Sequence, residues 1–190
     1  MSADPGAHRF LWDLHYAPLN LPVDYPISAT YANTAPNPTS PWAMPGVYTV
    51  TLKVNGKTYT QSLTVKMDPR VKTSVADLQL QHDLSMTCYN GRQKAKQALD
   101  EIAIARARLK DIAAAKELDT QVAGLQNQPR GSKEASFGAV ERSFGGLFGI
   151  LHEADIPPTS QTISAVKEAD AQLQKLLIVW DGLQKKIKSL

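Results

Sequence analysis

The chain has 190 residues, a hydrophobic fraction of 43% and a formal net charge of +3, the profile of an ordinary globular chain with enough apolar residues to bury a core. Its basic residues are not gathered into one block, which argues against nucleic acid as a partner, and no apolar stretch approaches the length of a membrane span. A single cysteine, Cys88, excludes an intramolecular disulfide and an all-cysteine zinc site.

Residues 1–10 show neither a basic start nor an apolar run, so no export signal is visible and localisation stays open. The stretch HRFLWDLHYAPLNLP follows. Phe10, Trp12, Leu14 and Tyr16 alternate with Arg9, Leu11, Asp13 and His15. That period predicts a strand on which Phe10, Trp12, Leu14 and Tyr16 pack in a core or at a domain interface. His8 and His15 then fall on opposite faces and cannot share a metal. Residues 17–45 hold seven prolines and no sustained period, which predicts a long loop with room for one short strand in YPISATY, residues 25–31. Tyr25, Tyr31 and Trp42 lie in that loop as candidate ligand or partner contacts.

The clearest local signal is PGVYTVTLKVNGKTYTQSLTVKMDP. Two alternating runs flank Asn55-Gly56, the pair that supplies the positive φ angles of a two-residue hairpin turn. Setting Val54 opposite Lys57 puts Leu52 against Tyr59, Val50 against Gln61 and Tyr48 against Leu63. One face is then apolar and the other threonine-rich, as in a hairpin laid over a core. The β region, residues 1–69, thus offers three or four strands, where a complete sandwich needs about seven. Its apolar face calls for cover from a missing preceding part, a second copy of the chain or the helical half.

The composition changes after Pro69. No proline occurs between residues 70 and 128, and alanine, leucine, lysine and glutamine dominate. Leu78, Leu84, Cys88, Ala95, Leu99, Ile102, Ala105, Leu109 and Ile112 form one apolar stripe on a helix of more than 35 residues capped by Thr73 or Ser74. Asn90-Gly91 is a point where it bends or splits. KELDTQVAGLQ continues the helix or begins another. A helix from about residue 133 to 154 carries Phe137, Val140, Phe144, Leu147, Phe148 and Leu151. A last helix from Thr159 or Ser160 carries Ile163, Val166, Leu173, Leu176, Leu177, Trp180, Leu183 and Ile187. The expected fold is α+β: the β unit of residues 1–69, then an up-down-up three-helix bundle over 70–190.

No catalytic constellation emerges. His82 and His152 stand beside Asp83 and Glu153, but the spacings of metal-binding histidines and cysteines are absent. Cys88 sits on the apolar stripe, where a buried free thiol is the ordinary state. Asp100-Glu101 and Glu168…Asp170 lie on or beside the polar faces of lysine-rich helices, where ion pairing accounts for them. FGGLFG lacks the spacing of a phosphate loop and reads as helix-packing material. The lysines of KKIK suit a helix C-terminus. The expectation is a non-enzyme without metal or other cofactor.

FLWDLHY, then PGVYTVTLKVNGKTYTQSLTVKMDPRV, then ADLQLQHDL together resemble the C-terminal region of large exported bacterial proteins, the BNR/Asp-box glycosyl hydrolases and sortilin-like β-propeller proteins. Trp12-Asp13-Leu14-His15-Tyr16, Pro45 to Val50 and Val65 to Arg70 carry the likeness, with His15 where the family has arginine. The resemblance implies a partial immunoglobulin-like domain whose beginning is missing, followed by an accessory helical region. It implies an extracellular or periplasmic setting and a missing N-terminal propeller, or a second copy, as partner. The Asp-boxes are absent, so no catalytic residue carries over. The function expected is that of a non-catalytic accessory or protein-interaction region. The alternative is a carbohydrate- or cell-surface-binding module using Tyr25, Tyr31 and Trp42.

Overall fold

A computed structural model describes residues 6–21, 37–129 and 132–189. The chain divides into two compact units, residues 1–72 and 73–190.

In the first unit, β1 (Gly46–Val54) and β2 (Lys57–Val65) form an antiparallel hairpin. Asn55 and Gly56 take φ angles of 49° and 75°, the left-handed pair of a type I′ turn. The turn sets the register: Val54 opposes Lys57, Leu52 opposes Tyr59 and Tyr48 opposes Leu63.

The rest of the unit corrects the expected β architecture. Residues 8–16 are not a strand, and among the described residues the sheet has two strands rather than three or four. Asp13 accepts the backbone N–H of His15 at 3.1 Å, and Leu14 takes a φ of 63°. An aspartate that bonds two residues onward offers the backbone a turn in place of a ladder. The indole of Trp12 completes it by donating to the His15 carbonyl at 2.8 Å. After the turn one isolated antiparallel bridge joins His15 to Trp42. The hydroxyl of Ser40 donates to the Tyr16 carbonyl alongside it. No immunoglobulin-like sheet or propeller blade is present among the described residues.

The second unit holds four helices among the described residues, not the three expected. Helix α1 (Val75–Leu109) begins at Ser74, whose hydroxyl accepts the Asp77 N–H at 3.1 Å. It passes through Asn90-Gly91 without a break. A short 3₁₀ turn (Ala113–Ala115) leads into α2 (Lys116–Gln126). Helix α3 (Phe137–His152) starts where Ser136 caps Ala139, and α4 (Ser160–Lys188) where Thr159 caps Thr162.

Side-chain pairings give the directions. Gln81 on α1 donates to the carbonyls of Leu151 and Ala154 at the end of α3. Arg92 holds Glu141 near the start of α3, and Arg106 holds Asp119 on α2. Helices α2 and α3 therefore run antiparallel to α1, one after the other. Glu101 meets Trp180 and Gln184, so α4 runs parallel to α1. The descending path is two helices because Asn127 turns to extended backbone and Gln128, directly before Pro129, is kept out of helix. The core between them contains Leu84, Cys88, Ile102, Phe137, Phe144, Leu173 and Trp180. Every residue of that core belongs to the second unit.

Candidate functional site

The hairpin presents two faces of different chemistry. Tyr48, Val50, Leu52 and Val54 share one with Tyr59, Gln61, Leu63 and Val65. Thr49, Thr51, Lys53, Thr58, Thr60, Ser62 and Thr64 share the other with Val47. Such alternation normally marks one buried face. Here Val50, Leu52, Val54 and Tyr59 are 45–56% exposed, and Leu63 is 39% exposed. Among the described residues apolar cover is seen at one end of the face, where Trp12 meets the Tyr48 ring edge-on with centroids 5.3 Å apart. The Tyr48 hydroxyl donates to the Met44 carbonyl at 2.6 Å. Burial, with the neighbouring Tyr16 second, raises its pKa above the ordinary tyrosine value.

The four residues expected to pack at a core or interface are thus divided. Trp12 is half-buried against Tyr48, whereas Phe10 is 69% exposed and Leu14 and Tyr16 are also exposed. Of the three loop aromatics, Trp42 lies over the His15 ring with centroids 3.6 Å apart and stays 48% exposed. Tyr25 and Tyr31 lie outside the described residues.

Three histidines have an acidic or aromatic neighbour close in sequence. His15 Nδ1 lies 3.5 Å from Asp13 and His82 Nδ1 lies 3.5 Å from Asp83. His152 stacks on Phe148 with centroids 3.9 Å apart. Among the described residues no group of three or more histidine, cysteine, aspartate or glutamate side chains is placed to hold a metal ion. Burial pushes the Cys88 thiol up to about 12, with Arg92 opposing it. It is therefore protonated at neutral pH, and the thiolate is the nucleophilic form.

Two carboxylates bond across helices: Glu101, which the sequence places on or beside a polar face, and Glu141, which it does not single out. Glu101 accepts the Trp180 indole N–H at 3.0 Å and the Gln184 amide at 2.8 Å on one oxygen. Its other oxygen accepts from Gln97 at 2.9 Å. The Trp180 hydrogen bond is the main cause holding its pKa below the ordinary glutamate value. A tryptophan in an apolar stripe needs an acceptor for its N–H, so Trp180 was the available signal. The second, Glu141, receives both Nε and Nη2 of Arg92, at 2.9 and 2.8 Å. Nothing local in the sequence announces that pair, which spans 49 residues.

No protein-family model, curated protein or solved structure matches the chain. The expected likeness to Asp-box and sortilin-like propeller proteins is therefore not sustained. The motifs that carried it form a turn and a lone hairpin, with no multi-strand sheet among the described residues.

Proposed function

We propose that the chain is a protein-interaction module without chemistry of its own, and that its contact surface is the apolar face of the hairpin. One observation carries this reading: Val50, Leu52, Val54, Tyr59 and Leu63 stand together in solvent on nine-residue strands. Contiguous exposed apolar side chains on a regular element mark interaction sites. A two-stranded hairpin is also marginal in water unless something packs on its face. Association supplies that packing. The helical unit has its own core and serves as a stable anchor for the hairpin's chain.

A photo-crosslinking amino acid at Leu52, with one at exposed Lys94 as control, tests the reading in the cells that make the protein. A defined adduct is expected at position 52, none at the control, and loss of the adduct on Val50→Asp or Tyr59→Asp. An absent adduct, or one indifferent to those changes, sinks the reading.

A second reading rests on Trp42, whose half-exposed ring over His15 offers a stacking surface for a sugar. Calorimetric titration against a glycan panel should then give heat that Trp42→Ala abolishes. An unresponsive native chain rules it out.

A further inference from the structure

We propose that the occupant of the hairpin is a second copy of this chain, joined through the outer edge of β2 in an antiparallel two-fold pairing centred on Gln61. The proposal goes beyond the interaction reading above: it joins two copies through a strand edge and leaves the apolar face of each hairpin open to a partner. In a hairpin closed by a two-residue turn, the pair flanking the turn is hydrogen-bonded and pairs alternate from there. Given the observed register, Lys57, Tyr59, Gln61, Leu63 and Val65 direct their backbone groups at β1. Thr58, Thr60, Ser62 and Thr64 direct theirs outward. Among the described residues the sheet has only these two strands, so that outer row has no third strand beside it.

Soluble proteins defend such an edge with charge, proline or a bulge. Between its two ends, Lys57 and the following Lys66, the edge of β2 has none of these. No charged residue or proline lies between Lys57 and Lys66, and the pairing register is uninterrupted across all its residues. The edge of β1 is the better defended: it follows Pro45 and carries Lys53 on an outward position. An edge left open in this way is a template for another strand.

The sequence of β2 then selects its own copy. Centred on Gln61, the strand overlaps itself along its whole length. Tyr59 faces Leu63 of the partner copy, Thr58 faces Thr64, Thr60 faces Ser62 and Lys57 faces Val65. The outward residues thereby meet only one another, which is the hydrogen-bonded phase of an antiparallel ladder. Aromatic–aliphatic and threonine–threonine or threonine–serine neighbours are favourable across strands. No two lysines stand opposite each other, so no like-charge pair opposes the register. Self-pairing of β1 about Val50 would instead put a charge, Lys53, within the outward hydrogen-bonding row. Pairing β1 with β2 of another copy would be heterologous and need not close. The product is a four-stranded sheet, β1-β2-β2-β1, whose apolar face is doubled and continuous.

The seam sets the strength. Nine residues span about 30 Å, and a sheet with its side chains is about 10 Å thick. Each copy thus contributes roughly 300 Å² and the pair roughly 600 Å², under the roughly 1,000 Å² of a stable interface. The dimer belongs to the weak, concentration-dependent class and is held by main-chain hydrogen bonds.

Sedimentation of the full chain tests this. The mass should rise from 20.7 kDa towards twice that value between about 10 µM and about 1 mM, the range of weak complexes. Ser62→Pro removes an outward N–H while leaving the ladder to β1 intact, and should keep the chain monomeric. Thr51→Pro, on the outer edge of β1, should not. Hydrogen exchange of the native chain needs no variant. The amides of Thr58, Thr60, Ser62 and Thr64 should exchange at least tenfold more slowly at the high concentration, and those of Val47, Thr49 and Thr51 at an unchanged rate. A mass fixed at 20.7 kDa through about 1 mM, or a dimer whose Thr60 and Ser62 amides exchange at the monomer's rate, overturns the proposal. A monomeric chain that still gives the Leu52 adduct with a different protein overturns self-pairing alone and leaves the interaction reading standing.

Discussion

Replacing Gly91 by alanine sets two effects of known size against each other. Alanine in a helix interior is favoured over glycine by about 1 kcal/mol. Against it stands the ring of Phe144. A Cβ on residue 91 would lie 2.4, 2.5 and 2.8 Å from Cε2, Cζ and Cδ2 of that ring, where carbon atoms ordinarily rest about 3.5–4.0 Å apart. The ring would have to withdraw by about 1 Å, and it is fully buried. Overpacking of a filled core costs about 1–3 kcal/mol, and a rigid ring with no exposed side belongs at the upper end. The net expectation is destabilisation by about 2 kcal/mol, or about 8 °C in Tm for a unit of this size. Urea unfolding of the full chain followed by helical circular dichroism measures it, with the slope unchanged and the midpoint lowered. Gly146→Ala in α3 is the matched control. Its added Cβ would meet nothing within 4 Å, so the propensity gain stands alone and stability should rise by about 0.5–1 kcal/mol. In a Phe144→Leu background the cost of Gly91→Ala should shrink by about 1 kcal/mol or more. Equal or raised stability of Gly91→Ala would refute the reasoning, because propensity would then have outweighed a clash that the packing makes unavoidable.

Glu101 carries a pH expectation. Its folded pKa lies below the unfolded value through the hydrogen bond from Trp180. Its contribution is therefore present above about pH 4.3, the unfolded carboxylate value, and is lost as pH falls through the folded one. Glu101→Gln should flatten the loss of stability in that acid window, read by Trp180 fluorescence; an unchanged acid profile would remove Glu101 from the account. Arg92→Met should cost about 1–3 kcal/mol because it strands Glu141, of which only 19% of the side chain is exposed. A cycle with Glu141→Leu should recover at least about 1 kcal/mol of that cost, and strict additivity would deny the coupling. Gly56→Val places a β-branched residue at a φ of 75°, a cost of about 1–2 kcal/mol. The strand signature of Thr49 to Ser62 should disappear from the NMR spectrum while helical circular dichroism persists, since the helices form a separate unit.

Local chemistry was legible residue by residue. Asn55-Gly56 with alternating runs on either side determined the hairpin and its register, because only a positive-φ pair closes so short a turn in step with strand twist. Thr73-Ser74 and Thr159-Ser160 announced the starts of α1 and α4, because an early helical N–H takes its acceptor from the residue just before the helix; Ser74 and Thr159 are the residues that cap them. Of the stripe from Leu78 to Ile112, the part up to Leu109 announced which side of α1 is buried, whereas Ile112 lies beyond the end of that helix and is exposed. Alternation misled at residues 8–16, where Asp13 folded the backbone onto itself before any ladder formed.

Tertiary structure decided the rest. No glycine or proline lies between Gly91 and Gly124, yet the chain leaves α1 after Leu109. The reversal brings Val122 into the core and Asp119 to Arg106, contacts between segments that no local pattern encodes. Gly91, a break signal in sequence, lies inside a continuous helix because its missing side chain makes room for Phe144. Glu101, one of many surface carboxylates by composition, became an anchor only when α4 laid Trp180 beside it. The sequence by itself determined one apolar face for the hairpin, since side chains alternate along any strand. Whether that face is covered depends on what packs against it, and the fold leaves Val50, Leu52 and Tyr59 half in solvent.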